Sequence, residues 1–230
     1  MKLSSFICFV ALLTLPLASF AQTPAFVNQI IDFENNSTAG FSVGGGAAAV
    51  QPSLVGDGAG NIVLQLQTNG NAGGSGSNLL VLNNAFSGDF STVNSILFDA
   101  TNPNAVDLNV RFGFSAGPPS SAFVSKDIVL AAGTSQALSF AFSPSNFTQV
   151  VGTNSFANTI SAVDQIRILH NPLAVGGVAA AAGDQVFDAA GDPIAATLQI
   201  DNFQITSVPE PGCISLLLGL GGTLILSRRK

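Results

Sequence analysis

Hydrophobic and polar residues alternate with a period of two in several stretches of this chain. The clearest are residues 62–66, 107–114 and 137–142, in which every second side chain is Ile, Leu, Val or Phe. Such alternation buries one face of a strand and leaves the other in water, as in antiparallel sheets. Further stretches rich in Val, Ile, Leu, Phe and Thr predict strands at residues 27–34, 79–82, 93–100, 122–130, 160–169 and 197–206.

Clusters of Gly, Pro and Asn separate these predicted strands, as at residues 56–58, 69–71, 102–104, 117–119 and 143–145. Many short strands with such turns predict an all-β fold, an antiparallel β-sandwich with a jelly-roll-like topology. Phe is the only aromatic residue type in the chain, so the core must consist of Phe, Val, Ile and Leu. Residues 40–50 and 70–77 are predicted to be Gly-rich loops. The Ala/Gly-rich residues 173–193 are either a disordered or simple surface insertion or a binding loop.

The N-terminus has the three-part layout of a secretory signal peptide. Lys2 precedes an apolar stretch at residues 6–17, and small residues follow as far as Ala21. We therefore expect residues 1–21 to be removed after export, with a retained membrane anchor as the alternative. The apolar stretch is shorter than the ~20 residues that a membrane-spanning helix needs.

Residues 22–207 are predicted to form one domain, since this length is sufficient for a single core. This domain contains three Lys or Arg and twelve Asp or Glu residues, a net charge of −9. The charge excludes a typical nucleic-acid-binding protein, which needs clustered basic residues. Because the two cysteines, Cys8 and Cys213, lie outside this domain, it has no disulfide framework.

The C-terminal segment, residues 208–230, is unlike the rest of the chain. It begins with Val208, Pro209, Glu210 and Pro211, continues with an apolar stretch at 212–226, and ends in a basic tail at 227–230. The prolines disfavour helix and sheet, so the tetrapeptide should be extended and accessible. The apolar stretch predicts one short transmembrane helix. Arg228, Arg229 and Lys230 would remain on the cytoplasmic side, so the domain would face outward.

This segment resembles the PEP-CTERM sorting signal of Gram-negative bacteria. The resemblance covers only the last residues, 208–230, and its motif here is Pro209, Glu210 and Pro211. It implies that the partner is an exosortase, which processes the chain while it is transiently held in the inner membrane. The protein would then reach the cell surface, the outer membrane or the extracellular matrix. The alternative is an uncut membrane anchor, in which Cys213 is either a small apolar residue or a lipid-modification site.

Candidate catalytic residues are scarce, and we expect no enzymatic activity. The one histidine, His170, is predicted to be a surface residue at a strand end, and motifs for a nucleophilic serine, a zinc protease or a P-loop are absent. A glycoside hydrolase would need two opposed carboxyl groups in a sugar-lined cleft. Trp and Tyr, the usual stacking platforms for sugars, do not occur in the chain.

The best candidate for a small-ligand site is a structural calcium ion. Asp32 and Glu34 are expected on one face of the first strand, and Asp201 lies in the last strand, where the hydrophobic alternation changes phase. The phase change predicts a β-bulge, and oxygen ligands suit calcium. First and last strands often pair in sugar-binding jelly rolls, which this pattern resembles. The alternative is a set of solvated carboxylates on edge strands.

The sequence thus predicts an exported protein with a structural or adhesive role in exopolysaccharide or biofilm. A carbohydrate-binding module is the first alternative, and it predicts exposed Phe side chains in a groove. A hydrolase is the second alternative.

Overall fold

The computed structural model describes residues 27–43, 50–70, 79–117, 121–172 and 186–207. These residues form thirteen strands and one short α-helix. The strands are β1 (Ile30–Ile31), β2 (Phe41–Ser42), β3 (Ser53–Gly56), β4 (Ile62–Gln67), β5 (Leu80–Asn83), β6 (Val93–Asn102), β7 (Leu108–Ala116), β8 (Ser121–Ser125), β9 (Ile128–Leu130), β10 (Thr134–Ala141), β11 (Phe147–Val151), β12 (Val163–His170) and β13 (Thr197–Ser207), and the helix is α1 (Phe156–Ile160).

The strands form two antiparallel sheets that pack face to face, which confirms the predicted β-sandwich. Sheet A has the order β10-β6-β13-β4-β3, with β1 paired to β13 beyond the end of β4. Sheet B has the order β11-β8-β7-β12-β5-β2, with β9 paired to β7. The finer jelly-roll description of the sandwich stays a prediction.

Both sheets contribute alternate side chains to one core, as the period-two pattern predicts. In β7, Leu108, Val110, Phe112 and Phe114 are buried and point inward. Phe rings contact one another across the core; for example, the centroids of Phe112 and Phe140 lie 6.2 Å apart. The core is therefore a cluster of Phe and aliphatic residues, as expected from a chain without Trp or Tyr.

Several predicted element boundaries were wrong. The stretch 122–130 is two strands, β8 and β9, separated by Lys126 and Asp127. The stretch 160–169 starts with the end of α1, whose N-cap Ser155 accepts a hydrogen bond from the Asn158 N–H. β2, β3 and β11 were not predicted, because each is short and lacks a full alternating pattern.

The predicted processing segments, residues 1–21 and 208–230, lie outside the described residues, as do residues 173–185 of the long Ala/Gly-rich stretch. Within the described ranges, no helix has the length and apolar character needed to cross a membrane. The signal peptide, the sorting motif and the C-terminal transmembrane helix therefore stay predictions.

Candidate functional site

The last strand, β13, contains the predicted bulge at Asp201 and Asn202. The register of β13 against β6 shifts between Asp201 and Gln204, and Asn202 has a positive φ of 50°. Inward-pointing residues change phase at this point, from Leu198 and Ile200 to Phe203 and Ile205. The bulge is thus confirmed, and it lets both halves of this long strand face the core.

The first strand is shorter than predicted, so Asp32 and Glu34 do not share a strand face. β1 ends at Ile31, and Phe33, whose ring is buried in the core, has a φ of 60°. The chain leaves the sheet there because Phe33 must turn inward. Asp32 accepts a hydrogen bond from the Glu34 N–H at 3.2 Å, and Glu34 accepts one from the Ile62 N–H at 2.7 Å.

β1 does pair with β13, as predicted, and a fourth carboxylate joins this corner. Asp99 on β6 lies directly opposite Asp201, and the Asn202 side chain donates to Asp99 at 2.8 Å. Burial raises the pKa of Asp201; the Asn202 N–H opposes this shift, and the negative charges of Asp99, Asp32 and Glu34 raise it further. We call Asp32, Glu34, Asp99 and Asp201 the carboxyl cluster.

The carboxyl cluster does not by itself form a metal site. Among the described residues, no three His, Cys, Asp or Glu side chains converge closely enough to hold a metal ion. Calcium at Asp32, Glu34 and Asp201 stays a prediction, with solvated carboxylates as its alternative. Sequence reasoning missed Asp99, although its outward position follows from the alternation Ile96, Phe98 and Ala100 inward in β6.

Substituting Asp201 with Asn should stabilise the protein at neutral pH. A raised folded-state pKa means that the folded protein binds the proton more tightly, so the stability contributed by this group is lost as pH rises through that pKa. Asp201→Asn removes the cost of partly burying a charged carboxylate together with the repulsion from the neighbouring carboxylates. We expect a melting temperature about 1–3 °C higher at pH 7, with a difference that shrinks towards pH 4.

Thermal melts of wild type, Asp201→Asn and the exposed control Asp192→Asn, each with and without calcium, measure this effect. A bound calcium ion would stabilise the wild type and not Asp201→Asn. Equal melting curves for wild type and Asp201→Asn at pH 7 would contradict the expected cost of the charged Asp201 carboxylate.

The outward face of sheet B carries a second group of polar residues. Val124, Gly113, Arg167 and Leu82 lie in register across β8, β7, β12 and β5. Thr148 on β11 and Ser42 on β2 extend this row across the six strands from β11 to β2, a width of roughly 24 Å at the usual strand spacing. We define the Arg167 face as Leu82, Asn84, Gly113, Ser115, Val124, Gln165 and Arg167.

Hydrogen bonds hold the polar side chains of the Arg167 face in place. Arg167 Nε donates to Gln165 Oε1 at 2.8 Å, and Gln165 Nε2 donates to Asn84 Oδ1 at 2.9 Å. Ser115 donates to Asp164 at 3.1 Å. Guanidinium and amide groups are thus aligned side by side on a rigid sheet, partly exposed to solvent.

Gly113 forms the floor of the Arg167 face between Val124 and Arg167. A Cβ atom at this position would lie 3.3 Å from the Phe123 carbonyl oxygen and 3.7 Å from Arg167 Cβ. Gly113 itself is buried, because the aliphatic side chain of Val124 and the cationic side chain of Arg167 lie close on either side of it. The sequence pattern indicated only that Gly113 is on the outward side of an alternating strand.

Arg111 anchors one end of this face. It is only 3 % exposed, and its side chain donates to the Asn171 and Ser125 carbonyl oxygens at 2.8 and 2.9 Å and pairs with Asp127 at 3.4 Å. Burial lowers the pKa of Arg111, which Asp127 opposes. A hydrogen bond from the Asn109 side chain lowers the pKa of Asp127, and the charge of Arg111 adds to this.

His170 is not the surface residue that the sequence suggested. It ends β12, as predicted, but it is 3 % exposed and opposite Val110. The alternation Ile166, Ile168, His170 places it on the inward side. Its Nδ1 accepts a hydrogen bond from the Asn109 backbone N–H at 2.9 Å.

Exposed Phe side chains, which the carbohydrate-binding alternative predicts, are absent from the Arg167 face as far as the structure describes it. The described Phe rings lie mostly in the core, and Phe187, 39 % exposed, lies next to Pro193 in the segment before β13.

Comparison with known proteins shows similarity in structure but no match in sequence. No protein-family model matches the chain, and no curated protein matches its sequence. The structure is similar to a family 11 carbohydrate-binding module from Clostridium thermocellum in complex with a β-1,3-1,4-mixed-linked tetrasaccharide, with a TM-score of 0.49, 15 % identity, and coverage of 79 % of this chain and 96 % of that one. An agarase is also similar, with a TM-score of 0.46 and 12 % identity over 78 % of this chain and 24 % of the agarase.

Proposed function

We propose that this chain is a non-catalytic module that binds neutral polysaccharide at the cell surface or in the extracellular matrix. The Arg167 face is the observation that carries this proposal. Its guanidinium and amide groups offer both donors and acceptors at fixed positions, which suits vicinal sugar hydroxyls. Leu82 and Val124 flank them and can cover the C–H surface of a sugar ring.

The charge of the domain favours a neutral polymer over an acidic one. Residues 22–207 carry a net charge of −9, so a polyanion is repelled at long range. Among the described residues of this face, Arg167 is the cation that reaches solvent, because Arg111 at its end is buried and paired with Asp127. Asp164 lies beside Ser115 at the border of the face.

Without aromatic stacking, each sugar contact should be weak. A polymer can nevertheless be retained, because a long repeating chain presents many equivalent sites and several copies of the protein can bind it together. Weak and multivalent binding suits an adhesive or structural matrix protein.

Replacing Arg167 and Gln165 with alanine should weaken polysaccharide binding at least about tenfold, since hydrogen bonds from a charged group contribute about 1.5–3 kcal/mol. The measurement is affinity electrophoresis of the full-length chain, exported and purified, through gels that contain dextran, β-glucan, agarose or the polyanion alginate. Retardation of the wild type by a neutral polymer is expected.

Gln199→Ala is the matched control, because Gln199 is a partly exposed amide on the outward face of the other sheet, paired with Gln65 at 3.1 Å. It should bind like the wild type. A wild type that no neutral polymer retards, or a double variant that is retarded equally, would overturn the proposal.

The hydrolase alternative has less support. A groove of about 180 Å³ beside the end of β10 is lined by one carboxylate, Asp127, and this side chain is paired with Arg111. Glycoside hydrolysis needs a second carboxyl group opposite the first.

For the destination of the protein, we propose export followed by exosortase processing at Pro209, Glu210 and Pro211. The motif, the apolar stretch 212–226 and the basic residues Arg228, Arg229 and Lys230 support this proposal. Intact-mass measurement of the native protein, with and without the processing enzyme, should show the tail only when the enzyme is missing. An intact tail in both cases would exclude processing.

A further inference from the structure

Six described strands pair on one side only: β2, β3, β10 and β11 end the two sheet paths, and the short strands β1 and β9 have two and three residues. β2 has two residues, β3 has four, and the five-residue β11 has a register shift between Gln149 and Val151. β10 has eight residues in unbroken register with β6, from Thr134 opposite Asn102 to Ala141 opposite Ser95. It is the longest and most regular edge that the structure describes.

β10 also lacks the features that normally protect an edge strand. Natural edges are blocked by Lys, Pro, bulges or short length, because exposed backbone N–H and C=O groups can pair with another chain. The sequence of β10, Thr-Ser-Gln-Ala-Leu-Ser-Phe-Ala, contains no charged residue, proline or glycine. Its side chains are exposed except for Leu138 and Phe140. At its last residue, the Ala141 carbonyl oxygen already accepts a hydrogen bond from the Asn146 side chain at 3.1 Å, so the open part of the edge is residues 134–140.

We propose that β10 is a dimerisation edge, at which β10 of a second copy of this chain adds in antiparallel orientation. Sheet A of each copy has five strands along the path from β10 to β3. The two copies of this sheet, related by a two-fold axis, would then form one continuous sheet. Strand addition of this kind derives its affinity from main-chain hydrogen bonds.

The charges at the two ends of β10 favour a second copy as the occupant. At the beginning, Asp107 accepts a hydrogen bond from the Ala132 N–H at 2.9 Å. At the end, Lys126 lines the groove beside Ser139, Phe140 and Ala141. Antiparallel pairing brings the beginning of one strand next to the end of the other, so Lys126 of each copy approaches Asp107 of the second copy.

The neighbouring Asp127 does not cancel this complementarity, because it already pairs with Arg111 and with the Asn109 side chain at 2.8 Å. The middle of β10 is neutral, so self-pairing places no like charges opposite each other although the domain is strongly acidic.

Sedimentation equilibrium of the purified full-length chain at increasing concentration tests this proposal. The wild type should form a dimer in a concentration-dependent manner. Ala137→Lys places like charges near the two-fold axis and should weaken dimerisation at least about tenfold. Ala137 lies opposite Asp99 on β6, so the new lysine gains a favourable neighbour and the fold should be retained, which a thermal melt verifies.

Ser53→Lys is the matched control, since Ser53 is an exposed residue at the opposite edge of sheet A and should leave dimerisation unchanged. Lys126→Asp should weaken the dimer, and the charge swap with Asp107→Lys should restore it. A wild type that stays monomeric, an Ala137→Lys variant that dimerises like the wild type, or an edge that binds only a different protein overturns the proposal. None of these measurements depends on polysaccharide binding.

Discussion

Replacing Phe203 with alanine should lower the free energy of unfolding by about 3–5 kcal/mol, the usual cost of removing a buried ring. Phe203 is 0 % exposed and follows the bulge in β13. Its ring centroid lies 5.4 Å from that of Phe41 on β2, 5.3 Å from Phe86 and 6.1 Å from Phe98 on β6. The ring therefore connects the two sheets, and its loss leaves a cavity bounded by rigid strands.

Urea denaturation of wild type and Phe203→Ala measures the difference, because the midpoint and slope together give the free energy. Ile30→Ala is a suitable control: Ile30 lies opposite Gln204, next to Phe203 in β13, and is 62 % exposed, so the change should be small. A loss below about 1 kcal/mol for Phe203→Ala would show that this part of the core is not packed as described.

Replacing Asn102 with leucine should cost about 2–4 kcal/mol, although the two side chains have similar size. Asn102 is 0 % exposed at the end of β6. Its Nδ2 donates to the carbonyl oxygens of Val106 and Leu130, both at 2.9 Å, and its Oδ1 accepts the Asn104 N–H at 3.1 Å. Leucine leaves these buried backbone groups without a partner, and each such group costs about 1–3 kcal/mol.

The same denaturation experiment measures this loss, with Asn94→Leu as the control. Asn94 is an exposed residue of the same strand, so its substitution should change stability by less than about 0.5 kcal/mol. Equal effects of the two substitutions would mean that the Asn102 hydrogen bonds do not connect β6 to β9 as the structure indicates.

Sequence reasoning succeeded where the information is local. The alternation in residues 107–114 and 137–142 predicted β7, β10 and their buried faces, and the change of phase after Ile200 predicted the bulge at Asp201. These features depend on which residues along one strand can face a hydrophobic core, and the order of side chains shows this directly. The pairing of the first and last strands was predicted in another way, from the resemblance to sugar-binding jelly rolls.

Reasoning from the sequence failed where the information is long-range. It placed Asp32 and Glu34 on one strand, because it could not show that Phe33 turns into the core with a positive φ. It missed Asp99, which faces Asp201 only through the pairing of β6 with β13. It expected His170 at the surface, although the side chain points inward and is buried.

By itself, then, the sequence determined the antiparallel β-sandwich, the composition of its Phe-rich core and the acidic charge of the domain, and it supplied the pattern at residues 208–230 on which the proposed sorting rests. Only the tertiary structure decided which residues share a surface: the carboxyl cluster, the Arg167 face and the unprotected edge of β10. The physical reason is that alternation assigns each side chain to one side of its strand, whereas strand order and register, which join distant segments, decide what lies beside it.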